Sequence, residues 1–462
     1  MSPAQENDIL FVNFPEYSSY NATLAFARRL NRIGYRSIFT GPSEFESHIQ
    51  RQGFDYFTVD IAKALAEEEK AGRTPEGRLR KMYWSGHFGV RFSWTQLDSL
   101  IRKRQIKGVL IDEPMWTWAR PFLKRGIPVV GFNITLACPK SYKRPPVTSA
   151  LQPNASAMGI FRNALAWTMI DLHFALANAC VRSMESFYLR GNAVRVHFKS
   201  ELRNCGVTFT RSEYGRKLDL PEIVFAPEEL DFPIHHRLAR PRIYAGISVD
   251  PDRCDAGATL SEPGVLVYCS LGTYHYPWSG AFWEKVIAAF AEMPALTVLV
   301  HTGKTRLRCG LPIPANVRIA PQVAQLEVLR RASLFLTHGG LGSFREAVYF
   351  GVPMVVCPGV WDQFGNAARV ERLGIGLKIN PKRVSKAELK QAVRSILTKP
   401  EFATKAKNLR EQVQTQQQLE HAIKFALDVF NCAGTRSGRA FPEEVAAQLV
   451  SESSSTSGRV KE

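Results

Sequence analysis

The feature that most limits the folds open to this chain is an alternation that runs twice. Short apolar runs of strand length alternate with helix-length stretches up to about residue 250, the pattern lapses, and it resumes at Val265. The first pass predicts strands over residues 9–14, 35–40, 108–112 and 128–132, a helix over 22–33 with Leu24, Ala27, Leu30 and Ile33 on one face, and a Trp-rich helix before Pro128. The second predicts strands over 265–271, 296–301, 317–320, 334–337 and 354–357. Its helices fall over 281–291, 326–331, 344–350 and from Gln363 onward. Such alternation builds mostly parallel sheets with helices on both faces. The expected class is therefore α/β, with two doubly wound parallel-sheet domains and a cleft where the carboxyl ends of their strands meet.

The length agrees, since 462 residues is about three times a common domain size of ~150. A 45% hydrophobic and 22% charged composition excludes a disordered chain. The lapse, rich in Pro, Asp and Gly over 250–264, reads as a linker and divides the chain into domains 1–250 and 251–432. The remainder, 433–462, turns to Gly, Ser, Thr and Arg and reads as a tail with too little apolar surface to bury.

Net charge is +18, with 34 basic against 24 acidic residues up to 250 and 26 against 18 beyond it. An excess spread this evenly suits attraction to anionic surfaces or phosphate-bearing ligands at least as well as a nucleic-acid groove, and no basic-aromatic stripe accompanies it. The eight cysteines are far apart without a C-x-x-C pair, against a disulfide scaffold or zinc ribbon. The opening residues are polar and include two acids, so the reading carries no signal peptide and takes a reducing cytoplasm as the default. The most apolar stretch, 159–181, is interrupted by Arg162, Asp171 and His173, and a charge in mid-membrane costs about 2.5–3.5 kcal/mol. It reads as an amphipathic or buried helix.

The densest chemical signal is the run from Leu334 to Glu346. A buried strand leads into His338, Gly339, Gly340 and Gly342, and a helix is expected to open at Ser343. Glycines allow close backbone approach to an anion, and a helix start offers unpaired N–H groups and a favourable dipole, which makes a phosphate cradle. Glu346, expected on the first turn, can accept from a ribose diol. Asp362 and Gln363 can bind sugar hydroxyls, and Ser270 and Thr273 offer a second pocket of hydroxyls and amides. Phosphate, ribose and sugar partners in that order describe a nucleotide-sugar site.

Residues 324–366, with Gln325, His338-Gly-Gly, Ser343, Glu346, Gly351-Val-Pro353 and Asp362-Gln363, resemble the donor signature of family 1 glycosyltransferases, the UDP-glycosyltransferases, most nearly the bacterial branch acting on macrolides and carotenoids. The resemblance implies a GT-B fold of two Rossmann-like domains, with a UDP-sugar held by the second and a small lipophilic acceptor by the first. It implies diphosphate contacts from His338, the Gly342 and Ser343 amides, and Ser270 or Thr273. Glu346 would hold the ribose, Gln325 the base or ribose, and Asp362 and Gln363 the sugar, glucose or a related hexose. Direct attack by the acceptor oxygen on the anomeric carbon requires no metal or other cofactor in that scheme.

Two departures stand out. Gln322 occupies the position where members often carry a base-stacking Trp. At the acceptor side, anchoring on Asn21 and Leu24 puts Ser19 where the family has its catalytic His, and a serine hydroxyl is no comparable base. Asp112, at a strand's carboxyl edge, matches the carboxylate that orients that His. Asp112 or Glu113 then takes the proton directly, or the acceptor ionises unaided; an N-cap role for Asp112 is the structural alternative. His87 is a further candidate, and Tyr83, Trp84, Phe88, Trp116 and Trp118 are expected around the acceptor, with 161–188 above it. Besides a sugar transferase with weak membrane-surface affinity, two classes stay open: an inactive accessory protein of the same fold, and a glycosyltransferase acting on nucleic acid.

Overall fold

The computed structural model describes residues 7–59, 94–189, 202–233, 240–260, 264–273, 276–303, 305, 307, 312–415 and 417–433; side chains are omitted at 177, 178, 180–189, 215, 216 and 433. His87, Tyr83, Trp84, Phe88 and the tail beyond 433 lie outside the described residues.

The first sheet contains β1 (Asp8–Val12), β2 (Arg36–Gly41), β3 (Asp55–Thr58), β4 (Ile106–Asp112) and β5 (Val129–Asn133). After a small antiparallel hairpin, β6 (Phe209–Ser212) and β7 (Gly215–Leu218), it is completed by β8 (Glu222–Val224) and β9 (Arg242–Tyr244). Its order is β3-β2-β1-β4-β5-β8-β9, parallel throughout. The second sheet comprises β10 (Val265–Ser270), β11 (Leu296–His301), β12 (Val317–Ala320), β13 (Ala332–Thr337), β14 (Met354–Val356) and β15 (Gly376–Lys378), ordered β12-β11-β10-β13-β14-β15 and also parallel. The central runs Ile9–Val12 and Leu334–Thr337 are buried along their whole length, as strands covered on both faces must be.

In each sheet the winding reverses beside its first strand, between β1 and β4 and between β10 and β13. A crevice opens outside the carboxyl ends of strands at such a reversal. Register fixes what meets there: Val12 pairs with Ile111, and Ser270 with Thr337.

Three local differences from the sequence reading matter. The first helix is Tyr17–Arg32, so Ser19 lies in its first turn. The helix after β13 is Leu341–Phe350, with Gly340 at its N-cap, so Gly342 and Ser343 lie inside the first turn and Glu346 in the second. The Trp-rich segment is a 3-10 helix, Glu113–Ala119, with Pro114 in its opening turn. The division of strands falls between β9 and β10, but the last helix, Gln417–Ala433, returns to the first sheet. Its Ala422, Phe425, Ala426 and Phe430 share a core with Phe11, Leu110 and Ile243, so that part of 251–432 packs with the first body.

Candidate active site

At the first reversal, the chain leaving β1 runs beside the end of β4. Ser19 donates through Oγ to Asp112 Oδ2 at 2.5 Å, and the Phe14 N–H donates to the same oxygen at 3.2 Å. Asn13 holds the arrangement from beneath: its Nδ2 donates to the Ser19 carbonyl at 3.0 Å, and to Ser19 Oγ and Thr23 Oγ1 at 3.2 Å each. Asn13, Ser19 and Asp112 are all buried. Burial pushes the Asp112 carboxyl up to about 7; the Ser19 and Phe14 hydrogen bonds favour the carboxylate and oppose that shift, while the charge of Glu113 adds to it. Asp112 occupies the N-cap position of the 3-10 helix, yet its side chain caps nothing there, having turned to Ser19 instead.

Glu113, one residue on, faces a different neighbourhood. It accepts from Asn133 Nδ2 at 2.9 Å and from the Ser212 hydroxyl, and pairs with Lys217 at 3.4 Å. Lys217 also binds Glu222 at 2.5 Å, and Glu222 binds Arg242 at 2.6 Å. A small cavity lies between this network and Asp112, bordered also by Trp116. Trp116 packs edge-on against Phe209, and Trp118 is core. The structure therefore unites Ser19 with Asp112 and ties Glu113 into an ion network with Lys217, Glu222 and Arg242.

At the second reversal the glycine run is shaped around His338. A Cβ at Gly272 would lie 2.7 Å from the His338 ring, and one at Gly340 would lie 2.5 Å from it. Gly272 also has φ +73°, so it is required twice over. Burial lowers the His338 pKa to about 4, against a backbone contact with Ser270 that favours the charged ring, so the imidazole is neutral at physiological pH. Beside it begins the helix Leu341–Phe350, whose first-turn N–H groups have no acceptor within the helix. A Cβ at Gly342 would meet nothing within 4 Å, which leaves open space over that helix start.

Asp362 closes the far side. Its Oδ2 accepts from the Leu341 N–H at 3.3 Å and from Asn366 Nδ2 at 2.8 Å, and Asn366 also donates to the Gly339 carbonyl at 2.9 Å. Burial raises Asp362 to about 7, with the Asn366 and Leu341 hydrogen bonds opposing the shift. Gln363 donates through Nε2 to Tyr276 at 2.8 Å and accepts from the Gly359 and Val360 N–H groups. The preceding Trp361 is exposed and held at φ +54°, a backbone state that costs a non-glycine residue about 1–3 kcal/mol.

Comparison with known proteins decides what this pair of sites belongs to. Residues 284–424 match the model described as the C-terminal domain of erythromycin biosynthesis protein CIII-like proteins. The chain is 34% identical over 417 residues to the NDP-glycosyltransferase YjiC of Bacillus subtilis strain 168, covering 88% of this chain and 93% of that one. This chain is a macrolide-type family 1 glycosyltransferase. The oleandomycin glycosyltransferase of Streptomyces antibioticus is 26% identical over 228 residues, 48% of this chain and 52% of its own. Among solved structures, the kitacinnamycin glycosyltransferase superposes with a TM-score of 0.63 at 18% identity, over 92% of this chain and 98% of that one. The glycosyltransferase VinC in complex with DTDP superposes with a TM-score of 0.59 at 16% identity, over 92% and 99%. These neighbours establish the GT-B fold.

Within this glycosyltransferase several donor-side residues are occupied by one another. Glu346 binds Arg253 at 2.6 Å and accepts from Gln325 Nε2 at 2.5 Å, Gln325 accepts from the Tyr268 hydroxyl at 3.0 Å, and Arg253 is held in turn by Asp255. A ribose diol would compete with Arg253 for Glu346. Ser270 is buried with its hydroxyl engaged by His301 and by the Gly272 N–H, so it fixes the loop, while Thr273 is exposed at the loop's end. Gln322 is exposed, and its carbonyl accepts from Ala258 N–H at 2.9 Å. The sequence reading missed Asn13, Arg253, Tyr276 and Asn366. Of these, Asn366 alone left a local signal, four residues after Asp362 on one helix face.

Proposed function

We propose that this glycosyltransferase moves a hexose, glucose or a close relative, from a UDP-sugar to a hydroxyl of a small lipophilic acceptor by direct displacement. The contact between the Ser19 hydroxyl and Asp112 carries the reading. It supports the reading by pairing a hydroxyl with a carboxyl poised near neutrality, where a general base is most effective. The acceptor oxygen bonds to the anomeric carbon as the bond from that carbon to the diphosphate breaks. The acceptor proton passes to Ser19 Oγ while the Ser19 proton passes to Asp112 Oδ2, so serine relays and aspartate stores. Asn13 keeps Ser19 in line.

On the donor side, the diphosphate charge is received by the start of the helix Leu341–Phe350 and by Thr273, with neutral His338 as a hydrogen-bond donor. Glu346 and Gln325 take the nucleoside once Arg253 yields, and Asp362 with Gln363 takes the sugar. No step here needs a metal or other cofactor. The uridine reading draws support from the name of one relative, the uncharacterized UDP-glucosyltransferase YojK of Bacillus subtilis strain 168, 41% identical over 146 residues, 31% of this chain and 35% of that one.

The test is turnover of UDP-glucose by the full chain against phenolic and aliphatic alcohols, with dTDP-glucose in parallel. Glycosylated product from UDP-glucose is expected. Product from dTDP-glucose alone would overturn the uridine assignment, and donor binding without product across the panel would leave the accessory class in its place.

A further inference from the structure

Among its described side chains, the helix Ala157–Leu189 leaves an apolar row exposed on one face. Its Trp167 and Asn163 are buried against the body, Trp167 Nε1 donating to the Arg144 carbonyl at 3.0 Å and Asn163 Nδ2 to the Tyr142 carbonyl at 3.1 Å. On the other side Met158, Phe161, Leu165, Met169, Leu172 and Leu176 are each 49–66% exposed. Their spacing of three and four residues puts all six on one stripe, about 27 Å long at 1.5 Å per residue. Exposed single apolar residues are ordinary, but a continuous row of six is an interaction surface. Both faces of the helix are thus apolar, and only one is covered by the body it packs on.

The charges beside the stripe select its occupant. Arg162 is exposed within it. Around the same helix Lys140 and Arg211 pair with Asp171 at 2.6 and 3.5 Å, and Lys143 is exposed in the loop that meets the covered side at Asn163. Four basic side chains thus stand against one carboxylate, on a chain of net charge +18. A second copy would bring like charges together at this face. An anionic bilayer would receive the apolar row between its headgroups and neutralise the basic rim. No helix among the described residues is long and apolar enough to cross a membrane, so the stripe would lie along the surface.

We propose that this stripe docks the protein on anionic lipid surfaces. The same helix is expected over the acceptor, but the vesicle test needs no acceptor, so its failure and that of the acceptor reading are told apart. It is tested by co-sedimenting the full chain with vesicles of phosphatidylcholine alone and of equal parts phosphatidylcholine and phosphatidylglycerol. Binding to the anionic vesicles is expected to exceed binding to neutral ones by at least about tenfold and to weaken several-fold between 0.05 and 0.5 M salt. The combined variant Phe161→Ser, Leu165→Ser, Met169→Ser should lose at least about tenfold in partitioning, and Arg162→Glu a smaller share, with thermal midpoints within about 2 °C of the parent confirming the fold. Equal binding to both vesicle types, or retained binding by the folded triple variant, would overturn the proposal. So would a parent that runs as a dimer in light scattering and becomes monomeric in the triple variant without binding vesicles, which would hand the stripe to a second copy.

Discussion

Asp112 and Asp362 form a natural experiment within one molecule. Asp112 ends β4 at the first reversal in winding and Asp362 follows β14, one strand beyond the second; each is buried, and burial pushes each up to about 7. Their partners differ. Asp112 faces a hydroxyl, which can accept one proton while giving up another; Asp362 faces the amide of Asn366 and a backbone N–H, which only donate. In the proposed reaction an equal shift from an equal cause would therefore serve unlike ends, proton movement on one side, and on the other a carboxylate that steadies a helix start and meets the sugar. A perturbed carboxyl is informative only when its partners are read with it.

The sharpest way to break this comparison is Asp112→Asn, expected to lower kcat by 10³-fold or more while the Kd for UDP, by calorimetry, stays within twofold. An unchanged kcat would remove Asp112 from the chemistry. Asp362→Asn should instead raise KM for the sugar donor with a smaller loss in kcat, because an amide can still meet hydroxyls. Next in size, His338→Ala is expected to weaken UDP binding about tenfold, the worth of one neutral hydrogen bond, and Gly340→Ala to do nearly the same by displacing the ring.

The pH dependence separates the two carboxyls further. If Asp112 must be ionised, kcat/KM rises with pH up to about 7 and then levels. Ser19→Ala removes a hydrogen bond that favours the carboxylate and moves that limb to higher pH, besides lowering the rate. For stability the two groups behave alike. Both have folded pKa values raised above their unfolded values, so the folded state gains most below about pH 4 and loses that gain as pH climbs through about 7. Replacing either by Asn should flatten the fall in Tm over pH 4–7 by a similar amount; a one-sided effect would show that burial is not the shared cause. The smallest effect on the fold is that of Gly342→Ala, where a Cβ meets no protein atom within 4 Å: it is expected to add up to about 1 kcal/mol of stability, read as a higher Tm.

The sequence made some of this legible for definite reasons. Period and punctuation located the central strands of both sheets, because strands buried on both faces are written as continuous apolar runs, and missed the short strands β3, β8, β9 and β15 toward the edges. Anchoring on Asn21 and Leu24 brought Ser19 and Asp112 to one place from 93 residues apart, since β1 and β4 lie side by side in the sheet. What it missed depends on long-range pairing. Glu113 looked as available as Asp112 until Lys217, far along the chain, was found against it. Arg253 on Glu346 and the return of the last helix to the first sheet have the same character: no local pattern announces them, and each depends on surfaces that exist only after folding.

The return of that helix has a mechanical consequence. The two sheets are joined by the backbone at two places, between β9 and β10 and again between the helix Pro400–Val413 and the helix Gln417–Ala433. A body held to another at a single point can swivel freely, whereas one held at two can only swing about the line that connects them. The buried cluster of Asp231 with Arg144 from its own side and Arg369 from the other, at 2.6 Å each, acts on that swing as a latch. Any relative movement of the two sheets is thereby confined to that swing, and it would have to part Asp231 from one of its two guanidinium partners.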